Sequence, residues 1–264
     1  MIYITGDIHG DPRRLSMECF PEQKEMTKDD YVIICGDFGL VWDQTENKNE
    51  KYWLNWLLNK PFTTLFVDGN HENHNRLDAM PVSEWNGGKV HFVQPNVIHL
   101  MRGQVFALQG QTYFTFGGAS SHDISGGILN PEDYKLGVQD PDFKRMYKRM
   151  QGNPLPFRIK NFSWWERELP NESEMQEGLE NLKKYNNKVD FIITHSPCTS
   201  DLFLLGGAGF YDTDILTNYL EEVRTIVDYQ KWYFGHMHIN KQPNLQDLCL
   251  YEQILMVPDK NYAY

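Results

Sequence analysis

One pattern recurs five times along this chain: a short apolar run breaks off, with almost no spacer, into a tip of Gly, Asp, Asn and His. Residues 2–5 run into Gly6-Asp7-Ile8-His9-Gly10, 31–35 into Gly36-Asp37, and 63–67 into Asp68-Gly69-Asn70-His71. Residues 190–194 run into His195, and 232–234 into Gly235-His236-Met237-His238. Short, near-continuous apolar runs suit strands covered on both faces. Helical stretches at about 47–59, 172–185 and 214–229 separate several of them, which predicts an α/β arrangement. In such sheets the carboxyl ends of the strands converge, so tips far apart in sequence come together.

Residues 89–118 differ: four short strand candidates separated by turn residues predict a meander or second sheet, and 242–257 two further strands. With no repeat or long linker, residues 1–264 read as one domain, with an excursion at 119–170. Within it, residues 131–151 are expected to contain helices and 152–163 a loop. From Lys144 to Arg167 it holds seven basic residues against one acidic residue, Glu166. Lys144, Arg145, Lys148, Arg149, Arg158 and Lys160 would therefore either balance charge or guide a phosphorylated substrate.

The whole chain is acidic, with 25 Lys and Arg against 36 Asp and Glu, which argues against non-specific coating of duplex nucleic acid or of an anionic membrane. Its apolar runs are of strand length and its start lacks a signal-peptide pattern, so residence in the cytoplasm is expected. Cys19, Cys35, Cys198 and Cys249 are widely spaced and read as reduced, structural residues.

Asp7, His9, Asp37, Asn70, His195, His236 and His238 offer carboxylate and amide oxygens and imidazole nitrogens at the strand tips. Such donors suit Mn, Fe, Zn, Co or Ni better than they suit a thiolate-preferring ion. There are enough of them for two cations, especially if one carboxylate bridges. Two cations roughly 3.5–4 Å apart can polarise a phosphoryl group and activate water. A single Gly-Asp or lone histidine would carry little weight; five compatible tips together point to metal-assisted phosphoester hydrolysis.

The ordered series Gly6-Asp7-Ile8-His9-Gly10, Gly36-Asp37, Gly69-Asn70-His71-Glu72, His195 and Gly235-His236-Met237-His238 resembles the calcineurin-like metallophosphoesterases. The resemblance implies an α/β four-layer α/β/β/α sandwich with two central mixed sheets, and two metal ions, Mn2+ first among them. It implies that Asp7, His9 and His238 hold one ion, Asn70, His195 and His236 the other, and Asp37 both. His71 would contact the phosphate and act as general acid while a metal-activated hydroxide attacks, which makes Asp37 and His71 the catalytic pair.

Serine/threonine protein phosphatases and their diadenosine-polyphosphate-cleaving relatives extend the second motif as GDxxDRG, whereas Leu40 and Val41 stand at those positions here. The orienting carboxylate for His71 and a bidentate phosphate clamp are both missing, with Asp43 the nearby carboxylate that could compensate. The expected reaction is therefore phosphodiester hydrolysis of a small phosphorylated or nucleotide-like substrate. Alternatives are phosphomonoester or nucleotide-pyrophosphate hydrolysis, a nuclease using the basic segment, or a non-enzymatic metal-containing interaction module.

Substrate contacts are expected from Asn70, His71, His122 and Arg158, with Ser120, Ser121 and Asp123 beside His122 on the rim or behind the ligands. Phe38, Trp42 and residues 206–211 would form an aromatic wall, while Trp164 and Trp165 would anchor the returning excursion. Glu72 reads as a helix-start carboxylate, and His74 and Arg76 as facing the pocket mouth or the surface. The 206–214 stretch lacks the ending of a P-loop, and Ser196 has no nucleophile-elbow context.

Overall fold

The computed structural model describes residues 1–206 and 212–258. Its strands begin with β1 (Ile2–Thr5), β2 (Tyr31–Ile34), β3 (Thr63–Phe66), β4 (Val82–Trp85), β5 (Gly88–Gln94), β6 (Val97–Leu100), β7 (Gln104–Leu108) and β8 (Gln111–Phe116). They continue with β9 (Ile128–Leu129), β10 (Arg158–Ile159), β11 (Phe191–Thr194), β12 (Lys231–Phe234), β13 (Asp247–Cys249) and β14 (Ile254–Met256). The helices are α1 (Lys48–Leu58), α2 (His74–Asp78), α3 (Pro141–Gln151), α4 (Glu172–Lys184), α5 (Thr199–Leu204) and α6 (Ile215–Ile226).

Two mixed sheets form the centre, ordered β14-β1-β2-β3-β6-β5-β4 and β13-β12-β11-β8-β7. Strands β1, β2, β3 and β6 are parallel, as are β13, β12, β11 and β8. Side chains alternate across each strand, and here both faces are apolar. Ile2, Ile4, Ile33 and Leu65 meet Phe106, Tyr113, Phe191 and Tyr233 between the sheets. The intervening Tyr3, Val32, Ile34 and Phe66 pack outward with Leu54 and Leu57 of α1. On the other flank Ile192, Trp232 and Phe234 pack with Leu182 of α4 and Leu216 and Leu220 of α6. These three apolar layers are the interior of the expected four-layer sandwich.

The long helices start where a side chain can replace missing backbone partners. Asn47 accepts from the Glu50 N–H at 2.8 Å, Asn171 from that of Glu174 at 3.0 Å, and Asp214 from that of Thr217 at 2.8 Å.

Residues 89–118 do not make one meander or one added sheet. The β5–β6 hairpin extends the first sheet, where β6 lies parallel to β3, while β7–β8 forms the edge of the second. Within 119–170, the expected loop at 152–163 contains β10, which pairs with β9 in a two-residue ribbon. The segment closes at its base, where the Ala119 N–H donates to the Glu168 carbonyl at 3.1 Å. Among the described residues no helix is long and apolar enough to cross a membrane.

Candidate metal centre

The predicted ligands all emerge within four residues of a strand's carboxyl end, after β1, β2, β3, β11 and β12. The local backbone is strained there. Of nine described non-glycine residues with positive φ, four are His9 (46°), Asp37 (46°), His236 (65°) and His238 (49°). Such conformations are costly outside Asn and Gly, and they cluster where function demands them. The neighbouring glycines permit the close approach: a Cβ on Gly69 would strike the Asp37 carboxylate, and one on Gly235 that of Asp7.

Two groups of ligand atoms result. Asp7, His9, Asp37 and His238 place one atom each within 4.8 Å of one another, and so do Asp37, His195 and His236. Asp37 belongs to both. His238 Nε2 lies 3.2 Å from Asp7 Oδ2 and 2.9 Å from His9 Nε2, and His9 Nδ1 lies 3.7 Å from Asp37 Oδ2. His195 Nδ1 donates to the Cys35 carbonyl at 2.7 Å, which aims Nε2, 3.3 Å from Asp37 Oδ1, as the free nitrogen.

The donor set fits a pair of cations. Buried polar atoms nearly always find partners. His195 Nε2 and Asn70 Oδ1 are nevertheless buried without a hydrogen-bond partner, one an imidazole nitrogen and the other an amide oxygen. The buried carboxylates also draw positive charge. Burial pushes the His195 imidazole down, but Asp37 and Asp7 outweigh it and hold the group up at about 10. Burial likewise pushes the Asp37 carboxyl up, and His195, His71 and His9 together bring it far below the usual carboxylate range.

His71 sits beside this centre. Its N–H donates to Asp37 Oδ1 at 2.8 Å, its ring stacks on Trp42 at 5.3 Å, and Arg158 Nη2 lies 3.1 Å from its Nε2. Burial first, and then the Arg158 charge, hold the imidazole down at about 4 against the pull of Asp37. Arg158 is 6% exposed and also donates to Asp123 Oδ1 at 2.6 Å and the Ser163 carbonyl at 2.8 Å. His122 Nε2 lies 2.5 Å from His236 Nε2, at the edge of the second group.

Several expectations need correcting. Phe38 forms no wall: it is fully buried and stacked on Phe66 at 4.2 Å. Asp43 does not replace the missing carboxylate, since it pairs with Asn47; Arg158 and Trp42 flank His71 instead. His74 reaches neither mouth nor surface, being 2% exposed with Nε2 3.1 Å from the Gly69 carbonyl. Arg76 is tied to Glu50 of α1 at 2.6 and 2.9 Å. Glu72 precedes α2 but braces two ligand loops, accepting from the Gly39 and Gly69 N–H groups at 3.0 and 2.5 Å. Trp165 is fully buried against Trp42, and of the aromatic stretch 206–211, residues 207–211 lie outside the described residues.

Sequence reading missed a cleft of about 400 Å³ on the His9 side, lined by Asp7, Ile8, Asp11, Arg14, Tyr251 and Glu252. Tyr251 stacks on the His238 ring at 4.9 Å, and Arg14 Nη1 donates to its carbonyl and to Thr5 Oγ1. No spacing signal links Arg14 with Tyr251; the pairing of β14 with β1 and the close approach of the Leu250–Tyr251 backbone to Gly6 bring their neighbourhoods together.

Fold and site define a class: two mixed sheets in a sandwich, with two groups of Asp and His side chains that share Asp37 and could hold metal ions at the strand tips. The family model described as calcineurin-like phosphoesterase matches residues 1–240, and the chain belongs to that family, which works with two metal ions. It is similar to lariat debranching enzyme A of Xenopus laevis, with 29% identity over 149 residues. It also resembles the lariat debranching enzymes of Danio rerio, 27% identical over 149 residues, and of Schizosaccharomyces pombe, 26% identical over 183. The matches cover 52%, 52% and 65% of this chain, but only 25%, 23% and 32% of those relatives.

Proposed function

We propose that this chain hydrolyses phosphodiesters at a two-metal centre with Mn2+ as the working ion. The observation that carries the reading is the sharing of Asp37 by both ligand groups. Asp7, His9, Asp37 and His238 would hold one ion, and Asp37, Asn70, His195 and His236 the other. When bound, the pair supplies positive charge to the phosphate oxygens and makes water a nucleophile at neutral pH.

The protein's own groups do the rest. Asp37 fixes His71 through the His71 N–H, and Trp42 sets the plane of its ring. Because Arg158 donates to Nε2, the neutral ring carries its proton on Nδ1. A phosphate that draws Arg158 toward itself frees Nε2 and adds negative charge beside the ring, so that Nε2 would take a proton from solvent water and pass it to the leaving oxygen. Asn70 and His122 would complete the contacts to the substrate.

The diester preference rests on the absent protein-phosphatase extension and on the relatives, whose name describes opening a branch in a lariat. The substrate class is a nucleotide-like diester. A nucleic-acid strand is the second reading, favoured by Lys144, Arg145, Lys148 and Arg149, all exposed on α3. Four free cysteines fit a reducing, cytoplasmic setting.

The test compares initial rates on bis(p-nitrophenyl) phosphate and p-nitrophenyl phosphate after chelation and Mn2+ restoration. The expected result is metal-dependent hydrolysis favouring the diester. Asp37→Asn should cost more than the ~10–100-fold typical of losing an outer hydrogen-bond partner of a metal site. A monoester preference would replace the reading with phosphomonoesterase, and two bound ions with no turnover of either substrate would leave the non-enzymatic module.

A further inference from the structure

Two residues at the base of segment 119–170 reach the second ion's ligands from behind. Asn70 Nδ2 lies 3.4 Å from Ser121 Oγ, and the Ser121 hydroxyl donates to Glu168 Oε2 at 2.7 Å. The Ser121 N–H reaches the same oxygen at 3.2 Å, while Glu168 Oε1 accepts from the Trp165 N–H at 3.4 Å. Ser121 is 5% exposed and Glu168 2%.

Chemistry fixes the direction of this relay. Glu168 Oε2 faces two donors, the Ser121 hydroxyl and the Ser121 N–H, so a proton that the carboxyl holds sits on Oε1; the Ser121 hydroxyl spends its own proton on Oε2 and keeps a lone pair for a donor. Asn70 must therefore present its NH2 to Ser121. An amide turned end for end has nearly the same shape but exchanges donor for acceptor. Tethering Nδ2 leaves Oδ1, buried and without a hydrogen-bond partner, as the atom offered to a cation.

We infer that Ser121 and Glu168 are positioning residues for the second ion, holding the Asn70 amide oxygen-first and tying that ion's affinity to the closed base of segment 119–170. The same Glu168 whose side chain anchors Ser121 accepts the Ala119 N–H through its carbonyl, so the relay and the closure share one residue. The inference rests on the two-metal reading proposed above.

The test is Mn2+ binding by calorimetric titration of the chelated full chain, together with the melting temperature of the metal-free protein. The wild-type protein is expected to bind two ions. Ser121→Ala should bind one as before and the other ~10–100-fold more weakly, with the metal-free melting temperature unchanged. Glu168→Gln has one carbonyl oxygen to serve both Ser121 and the Trp165 N–H, and should shift the same ion in the same direction. Aspartate offers an oxygen whichever way it turns, so in an Asn70→Asp background the Ser121→Ala penalty should vanish. Wild-type affinity for both ions in Ser121→Ala would overturn the inference, as would equal weakening of both with a lower melting temperature. A wild-type chain that binds fewer than two ions would remove the metal reading itself, a failure distinct from either of these.

Discussion

Arg158 ties His71 to two other groups through a single side chain. Its fork spreads over three acceptors on separate groups: Asp123 at 2.6 Å, the Ser163 carbonyl at 2.8 Å and His71 Nε2 at 3.1 Å. A planar guanidinium can span such a set, whereas a lysine ammonium is a point charge on a flexible stem. Arg158→Lys keeps the positive charge and should therefore isolate the geometry. The expected result is a fall in kcat on bis(p-nitrophenyl) phosphate of about 10–100-fold with two Mn2+ still bound, the range seen for outer partners of metal sites. Unchanged kcat would show that His71 needs no guanidinium beside it. Asp37 and His71 announce themselves through Gly-Asp and Gly-Asn-His tips, but Arg158 lies 87 residues from His71 in a stretch without any motif.

At the scale of elements, α3 is the segment whose role is most open to test. Lys144, Arg145, Lys148 and Arg149 are exposed on it, and only Arg145 has an ion-pair partner among the described residues, Asp142 at 3.1 Å. If the row follows a nucleic-acid backbone, replacing all four by Gln should raise KM for an oligonucleotide and flatten its salt dependence. The expected loss is about 0.7 in the logarithmic slope per phosphate contact removed. Turnover of bis(p-nitrophenyl) phosphate should not change, and an unaltered oligonucleotide slope would reduce the row to balancing charge. Elements were legible in the sequence where one physical demand dominates. Strands β1, β2, β3, β11 and β12 are covered on both faces and so read as apolar runs, and α1, α4 and α6 carry Asn or Asp caps at their starts. Strand β4, at a sheet edge with Val82 and Glu84 exposed, and the two-residue β9 and β10 have no such demand and left no pattern. Nor does local sequence say which sheet a hairpin joins; β6 is placed by Thr64, Leu65 and Phe66 opposite Val97, Ile98 and His99. The positions of Asp43 and His74 failed for a related reason: the loop after β2 decides where Asp43 points, and the packing of α2 against Gly69 and Asp68 decides where His74 does.

The whole molecule carries, beneath the ligand loops, a buried polar group whose titration couples to global stability. Arg102 Nε donates to Asp68 Oδ2 at 2.9 Å, His99 Nε2 lies 3.2 Å from Asp68 Oδ1, and His91 Nδ1 lies 3.1 Å from His99 Nδ1. His74 packs against the same carboxylate at 3.9 Å. Burial holds the His74 imidazole down at about 4 from its ordinary 6.5, against the attraction of Asp68, and burial with the neighbouring His99 does the same to His91. A group depressed in the folded state stabilises fully above its unfolded pKa. That contribution is lost as protons bind the unfolded chain first, so stability should fall between about pH 6.5 and 4. For the fully buried His74 the difference is worth at most roughly 3 kcal/mol, of which about 2 are lost by pH 5. Glu72 and Glu168 act with the opposite sign, because burial holds both up at about 8 and their contribution falls as pH rises. They are common to wild type and variant, so a difference measurement removes them. His74→Gln keeps a donor for the Gly69 carbonyl and cannot titrate. Between pH 7.5 and 5.0 the melting temperature of the metal-free wild type should fall by roughly 4–8 °C more than that of His74→Gln, at about 2–4 °C per kcal/mol for a chain of this size. Parallel melting profiles for the two proteins would show that His74 is not held neutral in the fold.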